Sequence, residues 1–573
     1  MPGRHDGVEQ GATPRGGQLL RSPLLRQHRH ILTRGANLVC GCRRSGCVRG
    51  DEPGPTARCG APWATVAAAI GCVVLSGIVH AAKWTASASV GATGTYNHYS
   101  GPDQPSDGFV TSLTASTTFR GEGGRVRLVG TVSLTENFDL GQSQNNSFAP
   151  TASVFGHVEA IEKFFFVDAT ATVTQSFISP FGPQPANLTT PTSNRYTAQT
   201  YSVSPYIQGV FAPTIGPHVS YVLRDDNVWT PSSHFGDSSA KTPTAYSNNL
   251  NGEMSSEIGY WGWALQYSRQ YYDNGADTDA STTELARVIV SFHVDPQLTL
   301  SARGGYERDR FGAAPTIEST IYGAGLNWRP TERTSVGGYW EHRFFGSSYA
   351  WQVSHRLPNV ALSANFTRGL STYPQLALLI PAGISVAQFL DAAFTTRIPD
   401  PVERAQAVAQ FLAQSGLPPT LPSPLNFYTT SVTLQQSESL SAVWVGGLNS
   451  LGFSVFRSES EAVSDQSSTL PAPLQFGANS IQTGGGVSYG HRVSGLTNLI
   501  ASLTYSTATP THTDASVSNA RTHNLNTFVG LSTRFSPKTN GSVGMSYFIF
   551  DTAGSSSGRP STLSLYASIS HTF

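Results

Sequence analysis

Apolar and small polar residues alternate along most of the chain from residue 84 onward. In the segment 84–98, the even positions are mostly apolar, and the odd positions are Thr, Ser, Gly or Asn. The segments 126–134, 165–177 and 525–535 repeat this alternation. Because successive side chains of a strand point to opposite faces, the pattern predicts strands with one apolar face and one face of small polar residues.

These strands are predicted to close into a transmembrane antiparallel β-barrel, an all-β fold. Alternating segments of about ten residues, separated by turns, are typical of outer-membrane barrels. After residue 82, no apolar run reaches the length of about 18 residues that a membrane-spanning helix needs. Hydrocarbon cannot satisfy the free edge of a sheet, so a sheet that spans a bilayer has to close.

Short and long connections alternate along the chain, and this alternation predicts the topology. In such barrels, short turns face the periplasm and long loops face outward. Long polar connections are predicted at 138–150, 179–199, 226–249, 273–282, 308–317, 370–427, 459–480, 507–521 and 551–561. Counting 428–446 as one strand gives about 22 strands, within a range of about 18–24, and places both termini in the periplasm.

The first 82 residues differ from the rest of the chain. Residues 1–60 hold ten arginines against four acidic residues, and all 5 cysteines lie between Cys40 and Cys72. An apolar run with small residues at its end then follows, which predicts a signal peptide at 61–82 after a basic extension. The barrel is expected at 83–573. The cysteines lack the paired C-x-x-C spacing of a zinc site, so we expect no metal.

Composition and the terminus agree with this class. Charged residues make up only 13% of the chain, roughly half the usual fraction, and a formal net charge of +0 offers no basis for nucleic-acid binding. The last strand carries apolar residues from Leu563 to Ile569 on the same face as the terminal Phe573. This ending looks like the β-signal that the barrel-assembly machinery recognises, with His571 where a bulky apolar residue is usual.

One segment departs from the β pattern. Asp400 is a predicted N-cap, Pro401 occupies the first helical position, and Gly416 ends the helix after Ser415. A shorter helix is predicted at Val386–Phe394.

Together these helices form a predicted insert at 384–416 within one extracellular loop, with Asp400, Pro401 and Arg404 as its candidate gating residues. Barrels of this size tend to have a filled lumen. The insert is therefore expected either to constrict the lumen or to lie as a cap over the mouth.

Several charged side chains are predicted to face the lumen. With each apolar face outward, the inward positions include the candidate substrate-path residues Arg287, Arg303, Glu307, Tyr339, Glu341, Arg343 and Arg356. Arginine forks suit carboxylate or sulfate groups of a sugar polymer. In the other interpretation, which we favour, these arginines and glutamates pair with one another in the wall. No catalytic residues are predicted, because the G-x-S-x-G match at 486–490 lies inside an alternating strand rather than at a strand–helix elbow.

Several motifs occur in an order that resembles a known family. They are Trp84, Phe166-Val167-Asp168-Ala169, Gln175-Ser176-Phe177-Ile178-Ser179, Gly305-Tyr306-Glu307, Asn327-Trp328-x-Pro330-x-x-Arg333-Thr334, His342-Arg343-Phe344-Phe345-Gly346-x-x-Tyr349, His355-Arg356-x-Pro358, Ile398-Pro399-Asp400-Pro401-x-x-Arg404-Ala405 and Gly416-Leu417-Pro418. Across nearly all of the predicted barrel, the chain resembles the PEP-CTERM/exosortase system-associated outer-membrane protein family of Gram-negative bacteria. Leu448 stands where that family usually has Arg.

The resemblance implies a barrel that serves export or assembly of a surface exopolysaccharide, because genes of this family lie near exopolysaccharide biosynthesis and export systems. Expected partners are outer-membrane lipid, the barrel-assembly machinery, an anionic or neutral polysaccharide, and periplasmic export proteins. The family supplies neither catalytic residues nor a cofactor. Two alternatives stay open: a closed structural or receptor barrel that anchors surface components, and a general diffusion porin.

Overall fold

A computed structural model describes most of the chain after the predicted leader. The described residues are 83–101, 105–141, 146–211, 218–234, 241–276, 279–378, 384–387, 391, 404, 408, 420–464, 479–511, 521–553 and 558–573. The predicted extension and signal peptide lie outside these residues, as do Asp400 and Pro401. What the sequence predicts for the extension, the signal peptide, Asp400 and Pro401 therefore stays a prediction.

The described residues form 24 strands in chain order. The first fifteen are β1 (Lys83–Ser100), β2 (Gly108–Glu122), β3 (Val126–Asp139), β4 (Ser147–Ile161), β5 (Phe165–Phe177), β6 (Arg195–Phe211), β7 (Val219–Thr230), β8 (Ala245–Ile258), β9 (Trp261–Asp273), β10 (Ser281–Asp295), β11 (Leu298–Arg310), β12 (Ile317–Thr331), β13 (Thr334–Arg343), β14 (Gly346–Arg356) and β15 (Val360–Ser371). The helix α1 (Tyr373–Leu378) follows. The others are β16 (Ile384–Ser385), β17 (Thr420–Leu421), β18 (Thr433–Val445), β19 (Asn449–Ala462), β20 (Ser480–Arg492), β21 (Thr497–Pro510), β22 (Thr522–Ser536), β23 (Thr539–Thr552) and β24 (Ser561–Thr572).

Twenty-two of these strands form one closed antiparallel barrel, which confirms the predicted fold and strand number. Strands adjacent in sequence pair with each other, β15 pairs with β18, and β1 closes the barrel against β24. The C-terminal Phe573 adds a hydrogen bond to this seam, because its backbone N–H donates to the carbonyl oxygen of Ala88 at 2.8 Å. β16 and β17 pair only with each other and form a separate two-stranded sheet.

The outer surface of the barrel is apolar. The predicted alternation places large aliphatic side chains on the outward face, where they are exposed: Val90, Leu113, Leu134, Val288, Val290, Leu300, Leu440, Val487, Leu503, Leu531, Val543, Met545, Leu565 and Ile569. An apolar exterior on a closed antiparallel barrel is the arrangement by which strands cross the outer membrane. The protein is therefore an integral outer-membrane protein. None of the helical stretches among the described residues has the length and apolarity needed to cross a bilayer.

Two parts of the predicted topology are wrong. The sequence predicts an outer loop at 179–199, but β6 already begins at Arg195, and the segment 178–194 folds back into the lumen and hydrogen-bonds to the inner wall. Tyr428–Val432 was expected to begin a barrel strand, but β18 starts at Thr433 and these five residues are buried inside the barrel. In both cases, the chain leaves the edge of the barrel because the inner wall offers it hydrogen-bond and apolar partners.

Candidate functional site

The inward face of the wall has two halves with different chemistry. On β18–β24 and β1–β3, here the neutral half, inward positions are mostly Ser, Thr, Asn, Gln or Gly. On β4–β15, here the charged half, Asp, Glu and Arg also occupy inward positions along the strands. Inward charges of the neutral half lie near strand ends: Lys83, Arg120, Glu122, Arg127, Asp139, Arg492 and Arg534.

Glu341 is the centre of the first cluster in the charged half. Its side chain is 0% exposed, and its two carboxylate oxygens lie 3.2 Å from Arg287 Nη2 and 2.9 Å from Arg303 Nη1. Gly323 pairs with Arg303 on one side and with Glu341 on the other, so no side chain separates these charges across β12. The Arg303 guanidinium also lies 4.0 Å from the ring centre of Tyr339. The carboxylate of Glu341 thus forms ion pairs with two arginines.

Glu307 and Arg343 form the second cluster. The Arg343 Nε and Nη2 groups donate to Glu307 Oε2 at 2.7 and 2.6 Å, and the backbone N–H of Phe344 donates to Glu307 Oε1 at 2.8 Å. Glu307 is 0% exposed, so the guanidinium and the backbone together satisfy a fully buried carboxylate. Asp309 lies two residues further out on the same face and is also buried.

A third cluster lies on β4–β7 and was not predicted. Asp168 accepts a hydrogen bond from Arg224 Nη1 at 2.8 Å and contacts His157 Nδ1 at 2.7 Å, while Arg224 Nε donates to Asp226 at 2.7 Å. The Arg224 guanidinium lies 5.0 Å from the ring centre of Tyr206. The alternation at 165–177 already assigned Asp168 to the inward face, so extending the list of inward positions beyond 283–356 would have found this cluster.

The arginines of these clusters are paired with carboxylates. A cavity of about 510 Å³ between them is lined by Arg224, Arg287 and Arg343 together with Glu253. Arg356 lies apart, near the periplasmic end of β14, where its Nη2 donates to the carbonyl oxygen of Glu332 at 2.8 Å. The geometry therefore brings six of the seven predicted residues into two ion-paired groups and leaves Arg356 outside them.

The segment 178–194, here called the belt, covers part of the neutral half. Asn526 accepts the backbone N–H of Ala186 at 2.9 Å through Oδ1 and donates to the carbonyl oxygen of Gln184 at 3.2 Å through Nδ2. Asn524 accepts the backbone N–H of Gln184 at 3.0 Å. Two asparagines on β22 thus hold the belt backbone much as a neighbouring strand would.

The belt continues along the neutral half as far as β1. Asn187 Nδ2 donates to Ser546 and Ser564 at 3.3 and 3.1 Å. Asn97 Nδ2 on β1 donates to the carbonyl oxygen of Thr189 at 3.2 Å. Since β5 and β6 carry the ends of the belt, this segment reaches from the charged half to β22 in the middle of the neutral half and narrows the lumen.

A second internal segment is the insert, defined here as residues 372–432. At one end, Leu421 packs on Gly452, whose missing side chain leaves room for it: a Cβ there would lie 2.6 Å from Leu421 Cδ2. Ser454 Oγ donates to the carbonyl oxygen of Pro422 at 2.7 Å. The side chain of Gln482 also bonds both backbone groups of Leu425, at 3.2 and 3.0 Å.

The insert reaches the charged half through a tyrosine cluster. Tyr373 and Tyr428 are buried, and their rings meet edge to face at 4.9 Å. The hydroxyls of Tyr196 on β6 and Tyr373 are hydrogen-bonded to each other. Burial raises the pKa of Tyr373 to about 12 and holds the pKa of Tyr428 well above its usual range. Both hydroxyls are therefore neutral at physiological pH.

The described parts of the insert thus lie inside the lumen, not over its mouth. Asn274 Nδ2 on the charged half donates to the carbonyl oxygen of Thr430 at 3.0 Å, so the insert contacts both halves of the wall. Val386 and Val408 are helical and buried, and Arg404 Nε donates to Asp391 at 2.8 Å. These positions fall within the two predicted helices, whose other residues lie largely outside the described part of the chain.

The geometry offers no catalytic relay at the G-x-S-x-G match. Ser488 faces the lumen and is buried, whereas His491 lies on the opposite face, where its Nδ1 contacts Asn449 Oδ1 at 2.6 Å. Among the described residues, no group of three or more His, Cys, Asp or Glu side chains is arranged to hold a metal ion.

Comparison with known proteins gives structural likenesses only. No protein-family model and no curated protein matches the chain. Among solved structures, it is similar to OpdK from Pseudomonas aeruginosa with vanillate (10% identity, 85% of this chain and 99% of that chain, TM-score 0.33). It is also similar to the siderophore receptor PirA from Pseudomonas aeruginosa (10%, 85% and 80%, 0.32) and to the siderophore receptor PiuA from Acinetobacter baumannii (8%, 85% and 82%, 0.38). At these identities, the likeness concerns the barrel fold alone.

Proposed function

We propose that this outer-membrane barrel is a gated conduit for a surface exopolysaccharide, in an export or assembly system of the PEP-CTERM/exosortase type. The observation that carries the proposal is the neutral half, where hydroxyl and amide side chains continue from the belt toward the periplasmic end, as along β1 at Thr95, Thr93, Ser89, Ser87 and Thr85. These groups both donate and accept hydrogen bonds, as sugar hydroxyls do. Many weak, similar contacts let a polymer bind without being trapped.

The insert would be the gate of this conduit. In the described residues, its contacts with the wall are hydrogen bonds and apolar packing, and its short strand β17 pairs with β16 rather than with a barrel strand. Such contacts can be broken without opening the barrel ladder. Displacement of the insert would therefore widen the lumen while the membrane-spanning strands stay intact.

Excision of the insert tip tests the gate. In β16–β17, Ser385 pairs with Thr420, so residues 386–419 can be replaced by an Asn-Gly turn that closes a two-residue hairpin. We expect the parent protein to be nearly silent in planar bilayers and the excised variant to conduct. A closed structural barrel would stay silent in both forms, and a diffusion porin would conduct before excision.

A reversible lock tests the same movement in cells. The chain has no cysteine after Cys72, so the double variant Leu421→Cys, Gly452→Cys would hold the only thiol pair of the barrel. We expect cross-linking to stop polysaccharide release and reductant to restore it, while the single variant Leu421→Cys, which has no partner thiol in the barrel, exports normally with and without reductant. Deletion of the gene should move polysaccharide from the medium to the periplasm. Unchanged release after deletion would contradict the proposal.

A further inference from the structure

We propose that a cavity beneath the belt is a binding subsite for an uncharged sugar ring. The inference rests on the proposed function and names the chemistry of the polymer. The cavity has a volume of about 390 Å³ and lies between the belt and the inner wall of β1 and β21–β24. This volume falls in the range of small-molecule sites, about 300–1,000 Å³.

The side chains around the cavity can bond sugar hydroxyls but offer no charge. The polar side chains that line it from the inward face and the belt are hydroxyls and amides: Thr93, Thr95, Asn187, Thr189, Ser502, Thr504, Asn526, Ser546 and Ser564. None of the described residues that line it is Asp, Glu, Lys or Arg. Recognition here therefore favours a neutral ring over a uronate or a sulfated sugar, whose charge would be buried without a partner.

Three inward-facing aromatic rings, those of Phe528, Phe548 and Tyr566, supply the apolar part of the site. Phe528 and Tyr566 stack with their ring centres 5.8 Å apart and their planes inclined by 19°. Gly530 makes room for the pair, because a Cβ there would lie 2.6 Å from the Tyr566 hydroxyl and 3.1 Å from Phe528 Cζ. A pyranose presents apolar C–H groups on the faces of its ring, and these pack on aromatic surfaces while its hydroxyls meet the polar lining.

One hydroxyl in the lining lacks a partner. Thr189 Oγ1 is buried, and none of the described residues forms a hydrogen bond with it. Buried polar groups are normally hydrogen-bonded, so an unpaired one at a cavity points to a ligand group that would satisfy it. Thr190 Oγ1, on the next residue, is also buried and unpaired, but Thr190 does not line the cavity. Thr189 and Thr190 are therefore a matched pair for substitution, since both hydroxyls are buried and unpaired but only Thr189 lines the cavity.

The cavity lies on the periplasmic side of the belt anchors. Phe528 follows Asn526 by two residues along β22, and Tyr566 follows Ser564 by two residues along β24. Both strands run toward the periplasm, as their order in the barrel requires. A chain entering from the periplasm therefore reaches this site before it meets the belt.

Saturation-transfer difference NMR on the full barrel in detergent micelles tests the inference. The probes are maltohexaose, cellohexaose and isomaltohexaose as neutral glycans, and the hexamer of galacturonate as a charged one. We expect binding of at least one neutral hexamer and none of the uronate. Phe528→Leu and Thr189→Val should each weaken that binding, by about tenfold for the loss of the ring, and Thr190→Val should leave it unchanged.

Three results would each overturn the inference: no binding of the neutral hexamers, preferential binding of the uronate, or equal affinities of the parent protein and Phe528→Leu for the neutral hexamer. Heat-dependent migration on a gel verifies that each variant has folded. Glycan binding by a barrel that stays silent after excision of 386–419 would support the subsite and contradict the conduit. Conduction by the excised variant without glycan binding would support the conduit and contradict the subsite.

Discussion

The two halves of the lumen wall bury polar side chains in different ways. In the charged half, the carboxylates of Glu307 and Glu341 are buried completely, and each is matched with one or two guanidinium groups, as Glu341 is with Arg287 and Arg303. In the neutral half, small hydroxyl and amide groups bond to one another or to the belt, as Ser542 does with Ser568 at 2.6 Å and Asn526 with the belt backbone. The two arrangements differ in what it costs to disturb them.

That difference in cost indicates which part of the lumen can move. Removing one partner of a buried ion pair costs about 3–5 kcal/mol, because the other charge is left unpaired. Removing one neutral hydrogen bond costs about 0.5–1.5 kcal/mol. The charged half is therefore expected to act as a fixed frame. The contacts of the neutral half with the belt and the insert are expected to break and form again more readily than the ion pairs of the charged half.

The largest effect is expected from Glu341→Leu. This change leaves Arg287 and Arg303, each only 16% exposed, without their carboxylate. The free energy of unfolding should fall by about 3–5 kcal/mol, measured by urea titration of the barrel in detergent. The triple variant Arg287→Met, Arg303→Met, Glu341→Leu removes all three charges and should recover most of the loss. A single variant as stable as the parent would show that the frame does not depend on this cluster.

A smaller effect is expected when the belt loses its anchors on β22. Asn524→Ala with Asn526→Ala removes three hydrogen bonds to the belt backbone. We expect faster hydrogen exchange at residues 184–187, while exchange in the barrel strands stays as in the parent. The matched control is Ser542→Ala, which removes an inward hydroxyl of the neutral half that bonds within the wall. A general loss of strand protection would mean that the belt is part of the frame.

The fold could be predicted from the sequence because the alternation that marks a strand is visible within the residues of that strand alone. A period of two, repeated from Trp84 to the last strand, needs no knowledge of distant residues, and the closure of the sheet follows from the lipid environment. The inward placement of Glu307, Glu341 and their arginines follows from the same parity. Their pairing depends on register, which places Gly323 between Arg303 and Glu341.

The internal segments could not be predicted in the same way, because their partners lie far along the chain. The belt residue Gln184 meets Asn524, 340 positions away, and Tyr373 meets Tyr196. In the sequence, the belt is a polar stretch rich in Pro, Ser and Thr, which resembles an exposed loop. The sequence signal for the belt lies instead in the barrel strands, where asparagines occupy inward positions of β1, β3 and β22: Asn97, Asn137, Asn524 and Asn526.

A still smaller effect is expected where a single side chain holds the insert to the neutral half. Gln482→Leu removes both bonds to Leu425 but keeps a side chain of similar size. The loss should be about 1–3 kcal/mol of insert docking, since two neutral hydrogen bonds disappear. It should appear as brief current openings in planar bilayers with no change in the urea midpoint of the barrel. Tyr196→Phe removes one hydroxyl contact from the opposite end of the insert and should produce fewer openings than Gln482→Leu.

The smallest effect at neutral pH is expected from Tyr373→Phe, which also reveals how the insert responds to alkali. Burial raises the pKa of Tyr373 from 10.0 to about 12, so the folded contact favours the neutral phenol. Its contribution is complete below pH 10 and is lost as pH rises toward 12. Cleavage of the insert by a protease active in alkali should therefore increase across this interval in the parent. Tyr373→Phe cannot ionise, so after a loss of about 1 kcal/mol at pH 7 its cleavage should rise less steeply. The same pH profile in both proteins would mean that another group, such as Tyr428, controls release, and that the tyrosine cluster does not hold the insert through Tyr373.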